Sequence, residues 1–156
     1  MTSTGFTGVP TGQYAGFWRR LLAEIVDLIL LLLVTAPLLT MIYGVGYWTE
    51  DQADIWSTLV RGPADFVISW ILPAVLVIGF WHFKQATPGK MLVSARIVDA
   101  GTGGAPSLGQ YVIRYLGYIL SMIPCGLGYI WIAFDPRKQG WHDKLARTVV
   151  VVKQDR

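Results

Sequence analysis

Apolar residues are concentrated in three blocks of the chain, separated by polar segments. The blocks run from Leu21 to Tyr43, from Phe66 to Phe83 and from Tyr111 to Phe134. As helices they would be about 34, 27 and 36 Å long at the usual rise per residue, against a hydrocarbon core of about 30 Å. We therefore predict that the first two blocks are transmembrane helices, at about 21–43 and 66–83, and that Pro37 kinks the first without ending it.

The sign of the charge differs between the segments that flank the second block. The segment 44–65 is mainly acidic, whereas 84–110 is mainly basic and Arg19 and Arg20 precede the first block. Cytoplasmic loops carry an excess of Lys and Arg. This distribution predicts that the N-terminus and 84–110 lie in the cytoplasm, and that 44–65 lies outside.

The third block, at about 111–134, allows two interpretations. As a single third span it would place the tail 135–156 outside, although this tail is mainly basic. The β-branched segments 91–99 and 148–153 are predicted strands, and they can pair only if both lie on one side of the membrane. Both observations favour a re-entrant or short helical hairpin that turns at Pro124-Cys125-Gly126, which leaves the C-terminus in the cytoplasm.

Composition supports this mainly α-helical, integral membrane architecture with a small two-stranded β element. Of the 156 residues, 53% are hydrophobic and 15% are charged, and the net charge is +3. In soluble domains roughly 45–50% of the residues are hydrophobic and about 25% are charged. Residues 1–13 have no charge and little apolar mass, which predicts a flexible N-terminal arm before a single membrane domain at 14–156.

Arg20, Glu24 and Asp27 share one face of the first predicted helix, because they are spaced i, i+4, i+7. Asp27 would lie about 10 Å deeper than Arg20, where a carboxylate costs about 2.5–3.5 kcal/mol and needs a partner. We expect Arg20 to pair with Glu24 one turn away and Asp27 to pair with Arg114. These residues form either an ion or proton site or a buried salt-bridge cluster that fixes helix packing.

The polar segments after the second and third blocks supply Lys90, His142 and Asp143. Lys90 and His142 are further candidate partners for Asp27. A His142-Asp143 pair is compatible with a metal site or a catalytic dyad, but two histidines and one cysteine make a poor ligand set, and no nucleophile signature accompanies them. We expect Asp143 to cap a helical turn, and we predict no catalytic residue, metal, cofactor or nucleic-acid partner. The basic residues suit anionic lipid headgroups.

Together these motifs resemble the RDD family of small bacterial membrane proteins, which is named after one arginine and two aspartates. The resemblance covers about residues 14–153. It identifies Arg20 as the arginine, and Asp27 and Asp143 as the aspartates. The matching segments are Ala15 to Asp27, Gln85 to Lys90, Ile97 to Asp99, Arg114, and Trp141 to Val150. Where relatives often have Gly before the final Thr, this chain has Arg147.

The resemblance implies a bacterial plasma (inner) membrane location and leaves two functions open. Some family members are linked to sodium–proton exchange, which here would use Arg20, Glu24 and Asp27 in a homo-oligomer. Others accompany larger membrane assemblies, and the N-terminal arm is similar to a shortened form of that in actinobacterial proline-rich antigens, whose relatives are associated with respiratory-chain complexes. Transporters usually build a midplane site between two repeats, and this sequence has no internal repeat. We therefore expect a non-catalytic accessory or assembly subunit.

Overall fold

The computed structural model describes residues 14–50 and 54–152. The arm predicted at 1–13 and the predicted last strand residue, Lys153, lie outside these ranges. The elements within them are α1 Phe17–Tyr43, α2 Gly46–Thr49, α3 Ile55–Leu59, α4 Pro63–Phe66, a π-helical turn Val67–Ile71, α5 Leu72–Lys84, α6 Pro88–Leu92, β1 Ala95–Asp99, α7 Leu108–Met122, α8 Leu127–Phe134, α9 Trp141–Ala146 and β2 Thr148–Val152.

Two helical segments are long and apolar enough to cross a membrane, which confirms the two predicted spans. They are α1, with 27 residues, and the continuous run Pro63–Lys84, with 22. Pro37 lies inside α1 and does not end it. In the second span the amide of Leu72 donates to the carbonyl of Val67, so a π-helical turn precedes Pro73. Such a turn is one way to accommodate a proline ring that would clash with the preceding helical turn.

The third apolar block is a broken helix pair. Helices α7 and α8 meet at an angle of 102°, and Cys125 and Gly126 in the connection have φ angles of 53° and 78°. The break therefore falls at the predicted turn, and the block is not one straight span. Gly128 lets the two helices approach closely, because a Cβ there would lie 2.6 Å from Cβ of Ser121.

The two strands pair antiparallel, as predicted, with Ile97 opposite Val150. The first strand begins later than predicted, at Ala95, because Pro88 occupies the first turn of α6, where its missing N–H costs no hydrogen bond. Tyr14 bridges Val151 along the other edge of β2. Both ends of the described chain therefore lie together.

The strands and the short helices α6 and α9 pack against the N-terminal part of α1 and against α7, and we call this region the charged end. Its apolar core consists of Ala15, Trp81, Ala95, Ile97, Tyr111 and Val150. Away from it, most large apolar side chains of α1 and α5 are exposed, as expected for lipid-facing surfaces. The protein is therefore a membrane protein whose charged end is polar and well packed, while its spans present apolar side chains to the outside.

Candidate functional site

Asp143 is the centre of the charged end. Its side chain is fully buried on α9 and accepts a hydrogen bond from Nη1 of Arg20 at 2.5 Å and another from Nη1 of Arg114. Its Oδ2 also accepts from the backbone N–H of Gly140 at 3.0 Å. Asp143 thus caps α9 from the third position inside this helix and not, as predicted, from the position before a helical turn. One carboxylate therefore joins α1, α7 and α9.

Arg114 is packed as well as paired. Its Nη1 also donates to Oγ1 of Thr148 at 2.8 Å, and its guanidinium carbon lies 5.3 Å from the ring centroid of Trp81, a cation–π distance. Helix α9 can reach it because α7 has Gly117 at the crossing, where a Cβ would lie 2.8 Å from Cα of His142. These contacts exclude water from the Arg114–Asp143 pair.

Glu24 pairs with Lys90 on α6. The Nζ–Oε1 distance is 2.6 Å; Lys90 is buried, whereas 39% of the Glu24 side chain is exposed. Burial alone would lower the pKa of Lys90, but the Glu24 carboxylate outweighs it and holds this pKa above its usual value. The predicted pair of Arg20 with Glu24 is therefore wrong. The spacing of Arg20 and Glu24 predicts a pair within one helix, whereas the folded chain gives each of them a buried partner from a distant segment.

Asp27 lies against the N-terminal end of α6. Its Oδ2 accepts a hydrogen bond from the Thr87 hydroxyl, and its Oδ1 accepts from the backbone N–H of Gly89 at 2.7 Å. The expected pairing with Arg114 is wrong, and neither alternative donor provides the contact. The first turn of α6 approaches α1 so closely that a Cβ at Gly89 would lie 2.1 Å from the Ala23 carbonyl oxygen. Neutral donors at the N-terminal end of α6 therefore satisfy the deep carboxylate.

His142 fills the space beneath the cluster. Its ring lies 4.4 Å from that of Tyr118 and 5.1 Å from that of Tyr129, and its Nδ1 is 3.3 Å from Oγ of Ser121. Burial, followed by the charges of nearby Arg and Lys side chains, lowers the pKa of His142 well below its usual value. His142 is therefore neutral near pH 7. Among residues 14–50 and 54–152, no group of three His, Cys, Asp or Glu residues could hold a metal ion.

Two open cavities flank Glu24. One, of about 480 Å³, lies between α1 and the α7–α8 bend, and Arg20, Glu24, Lys90 and Arg114 line it. The other, of about 190 Å³, lies between α1, α5 and α7, and Asp27 lines it together with Glu24. Glu24 is thus the one residue of the predicted Arg20-Glu24-Asp27 face that borders both cavities.

Sequence reasoning missed the polar cluster at the other end of the fold. Asp65 is buried, and it accepts hydrogen bonds from the hydroxyls of Tyr47 at 2.8 Å and Ser69 at 2.7 Å and from the backbone N–H of Arg61 at 2.7 Å. These contacts hold Tyr47 and Arg61 against the start of the second span. The available signal was the position of Asp65 in the first turn after Pro63, where acidic side chains are favoured.

The chain is similar to several known proteins. The model of the RDD family matches residues 14–147. YxaI of Bacillus subtilis is 34% identical over 89% of this chain and 97% of its own length. The proline-rich antigen homolog of Mycobacterium tuberculosis is 25% identical over 92% of the chain, and RP437 of Rickettsia prowazekii is 42% identical over 47% of it. The chain spans only 65% and 40% of the lengths of these last two proteins. No solved structure gave a significant match.

Proposed function

The chain belongs to the RDD family of membrane proteins, and we propose that it is a non-catalytic accessory or assembly subunit of a larger bacterial membrane complex, such as a respiratory-chain complex. One observation carries this proposal: Arg20, Asp27 and Asp143 each bond to another element of the same chain. Residues that bond to other elements of their own chain stabilise the packing of its helices. The surface left for partners is the apolar exterior of the spans.

The outer part of α1 supports the same function. After Asp27 the helix has no charged residue, and its two threonines, Thr35 and Thr40, donate to the carbonyls of Leu31 and Ala36 in their own helix. The surface beside Pro37 is shallowly concave and mainly apolar, with Leu33, Ala36 and Met41 in its lining. A partner's transmembrane helix could pack closely against small side chains such as Ala36.

We further propose that both termini face the cytoplasm of the inner membrane. The ends of the described chain lie on one side of the fold, since Tyr14 bridges Val151. The basic segment 84–110 begins at the same end, so the positive-inside rule assigns that end to the cytoplasm. There the exposed Lys and Arg side chains would contact anionic headgroups, and no nucleic-acid partner is needed.

Cation or proton transport by a homo-oligomer is the second candidate function. It is favoured by the cavity between α1, α5 and α7, in which Glu24 and Asp27 both participate. Intramembrane carboxylates beside a cavity are a common arrangement on ion pathways. The absence of charge in the second half of α1 argues that one chain would not provide the whole pathway.

The accessory role is tested by purifying the tagged full-length chain from its own host in mild detergent and quantifying co-purified proteins by mass spectrometry. We expect stoichiometric recovery of the subunits of one larger membrane enzyme. Ala36→Trp, on the concave face of α1, should release them, whereas Val75→Trp, exposed on α5, is the matched control and should retain them. Recovery of the chain alone would contradict the proposal.

Transport is tested separately in vesicles that contain the purified chain and a pH-sensitive dye. The accessory role predicts no cation-driven proton movement by the wild type or by Asp27→Asn. Movement in the wild type that disappears in Asp27→Asn, while Asp54→Asn remains active, would replace the accessory role by transport.

A further inference from the structure

The short helix α3 folds back along the second span. The indole N–H of Trp70 donates to the carbonyl of Leu59 at 3.1 Å. Trp70 lies seven residues after Pro63, the first residue of the span, which is roughly 10 Å along the helix axis. Its ring leans back toward the start of the helix over only part of that distance. The end of α3 therefore lies beside the second span and not beyond its first residue.

The start of the connection folds back in the same way along α1. The indole N–H of Trp48 donates to the hydroxyl of Thr40 at 2.9 Å, one helical turn before α1 ends at Tyr43. Trp48 and Trp70 are 51% and 40% exposed, so both rings lie on the outside of the spans. Tryptophan at the end of a membrane span favours the boundary between lipid headgroups and hydrocarbon. Both ends of the connection therefore lie at the level of this boundary.

An apolar face is exposed on α3 and the residue after it. Its four members are spaced i, i+1, i+4, i+5 and so share one side of the helix. They are Ile55, Trp56, Leu59 and Val60, with 65%, 75%, 41% and 37% of their surface exposed. The hydroxyls of Ser57 and Thr58, outside this face, donate to the Asp54 carbonyl at 2.9 and 3.0 Å. Because these hydroxyl donors are satisfied within the turn, the apolar face can enter lipid without carrying unpaired donors with it.

The apolar face of α3 adjoins exposed apolar side chains of the second span. Phe66, Val67 and Ile71 are 46%, 52% and 44% exposed, and Trp70, which bonds to Leu59, lies among them. The segment 44–65 has four acidic residues and one arginine, so anionic headgroups do not attract it. The surface that faces lipid on the span therefore extends onto α3, and apolar contact is what this extension offers.

We propose that α3 docks on the membrane leaflet opposite the charged end, with Ile55 and Trp56 inserted at the boundary between the headgroups and the acyl chains of phospholipids. Docking rests on apolar insertion and not on the charge of the headgroup. The proposal does not depend on the accessory role. Nor does it depend on which side of the membrane the charged end faces, because α3 and the charged end lie at opposite ends of the two spans.

The test uses the purified full chain, diluted in phosphatidylcholine vesicles, with one spin label per chain. Cys125, the only cysteine, is replaced by Ser, and Trp56→Cys or Thr58→Cys then places the label inside or outside the apolar face. Electron paramagnetic resonance measures the collision rates of the label with oxygen, which enters lipid, and with a water-soluble nickel complex. We expect the oxygen-to-nickel ratio to be several-fold higher at position 56 than at 58. It should lie below the ratio for Val75→Cys, which is exposed on α5.

A second label on the apolar face, in Ile55→Cys, leaves Trp56 in place and should give the same result. Phosphatidylglycerol added to the vesicles should not raise the ratio at either position. A ratio at 56 no higher than at 58, or one that rises with phosphatidylglycerol, would overturn the proposal. Spin–spin broadening at 56 would assign the face to a second copy instead. Protection of this cysteine from a water-soluble thiol reagent in host membranes, but not in vesicles, would assign it to a host protein. Thermal unfolding checks that each variant is folded.

Discussion

The two halves of α1 differ although they form one continuous helix. From Phe17 to Asp27 the helix buries Arg20, Ala23 and Asp27, and each charged member of this set bonds to another element. From Leu28 to Tyr43 it has no charged residue and mostly exposed apolar side chains. The first half fixes the packing of the charged end, and the second half fills the membrane.

The difference between the two halves shows that a buried charge in a membrane protein needs a partner from another part of the chain. Arg20 meets a residue 123 positions away, and Asp27 meets one 60 positions away. An unpaired charge at such depth would cost several kcal/mol in an apolar environment. The first half of α1 is therefore stable only when the chain closes around it, whereas the second half buries only Thr35 and Leu39 and has no charge to neutralise.

The largest expected effect comes from Asp143→Asn. The substitution leaves Arg20 and Arg114 buried without their shared anion. We expect a loss of about 3–5 kcal/mol in the free energy of unfolding, as found when one partner of a buried ion pair is removed. Denaturant-induced unfolding in detergent, followed by tryptophan fluorescence, measures it.

The control for that variant is Asp54→Asn, the same chemical change at an exposed cap of α3. Asn caps helices about as well as Asp, so stability should barely change. If Asp143→Asn were no more destabilising than Asp54→Asn, the ion pairs would not hold the charged end together and the contrast between the halves of α1 would fail.

The next effect tests the close approach of the α6 segment to the first half of α1. In Gly89→Ala the added Cβ would meet the Ala23 carbonyl oxygen at 2.1 Å, and backbone cannot move aside as a flexible side chain can. We expect a loss of about 3 kcal/mol, the upper end of overpacking costs. The same denaturation measurement applies.

Its matched control is Gly79→Ala in α5, where nothing lies within 4 Å of the added Cβ. Alanine is favoured over glycine in a helix, so this variant should be about 0.5–1 kcal/mol more stable. Equal destabilisation by both variants would show that glycine at these positions serves flexibility rather than close packing.

The sequence alone could identify the polar face of the first helix, but it could not identify every partner of the residues on that face. The spacing of Arg20, Glu24 and Asp27 fixes their common side of a helix, and a lone strand needs a partner, so the shared face and the strand pairing were predictable. A cluster of Arg20, Lys90, Arg114 and Asp143 was also predicted from the placement of the basic tail, and the structure brings Arg20 and Arg114 onto Asp143. The partner of Asp27 was not predictable, because Thr87 comes to the first helix only through the closure of the whole chain.

The start of β1 was misjudged for a local reason. The β-branched residues from Met91 onward favour a strand, but Pro88 begins a helix of only five residues that occupies Met91 and Leu92. A turn of helix this short has no hydrophobic periodicity to reveal it. A long-range hydrogen bond from Gly89 in its first turn to Asp27 holds it in place.

The pH dependence of stability should depend on His142, which is neutral in the folded protein because burial lowers its pKa. In the unfolded chain it binds a proton as the pH falls through about 6.5. The unfolded state then binds more protons, so stability falls by about 2 kcal/mol between pH 7 and pH 5. The carboxyls of Asp99 and Asp135 have lowered pKa values, so their contribution is lost only at lower pH.

The variant His142→Gln should remove most of this slope in denaturation curves recorded from pH 7 to pH 5. His82→Gln is the control, because His82 is exposed at the end of α5, and it should retain the slope. An unchanged slope in His142→Gln would mean that the histidine is protonated in the folded protein.

The smallest effect is expected in the second half of α1. The Thr35 hydroxyl donates to the Leu31 carbonyl, which is in the same helix and already serves helical hydrogen bonding. Thr35→Val keeps the shape and removes the polar atom, so we expect a change in stability within about 0.5 kcal/mol and no change in partner recovery. If this half of α1 only fills the membrane, its hydroxyls are dispensable. Loss of partner recovery in Thr35→Val would instead place a polar function in the second half, and the division of α1 into a charged and an inert half would then be wrong.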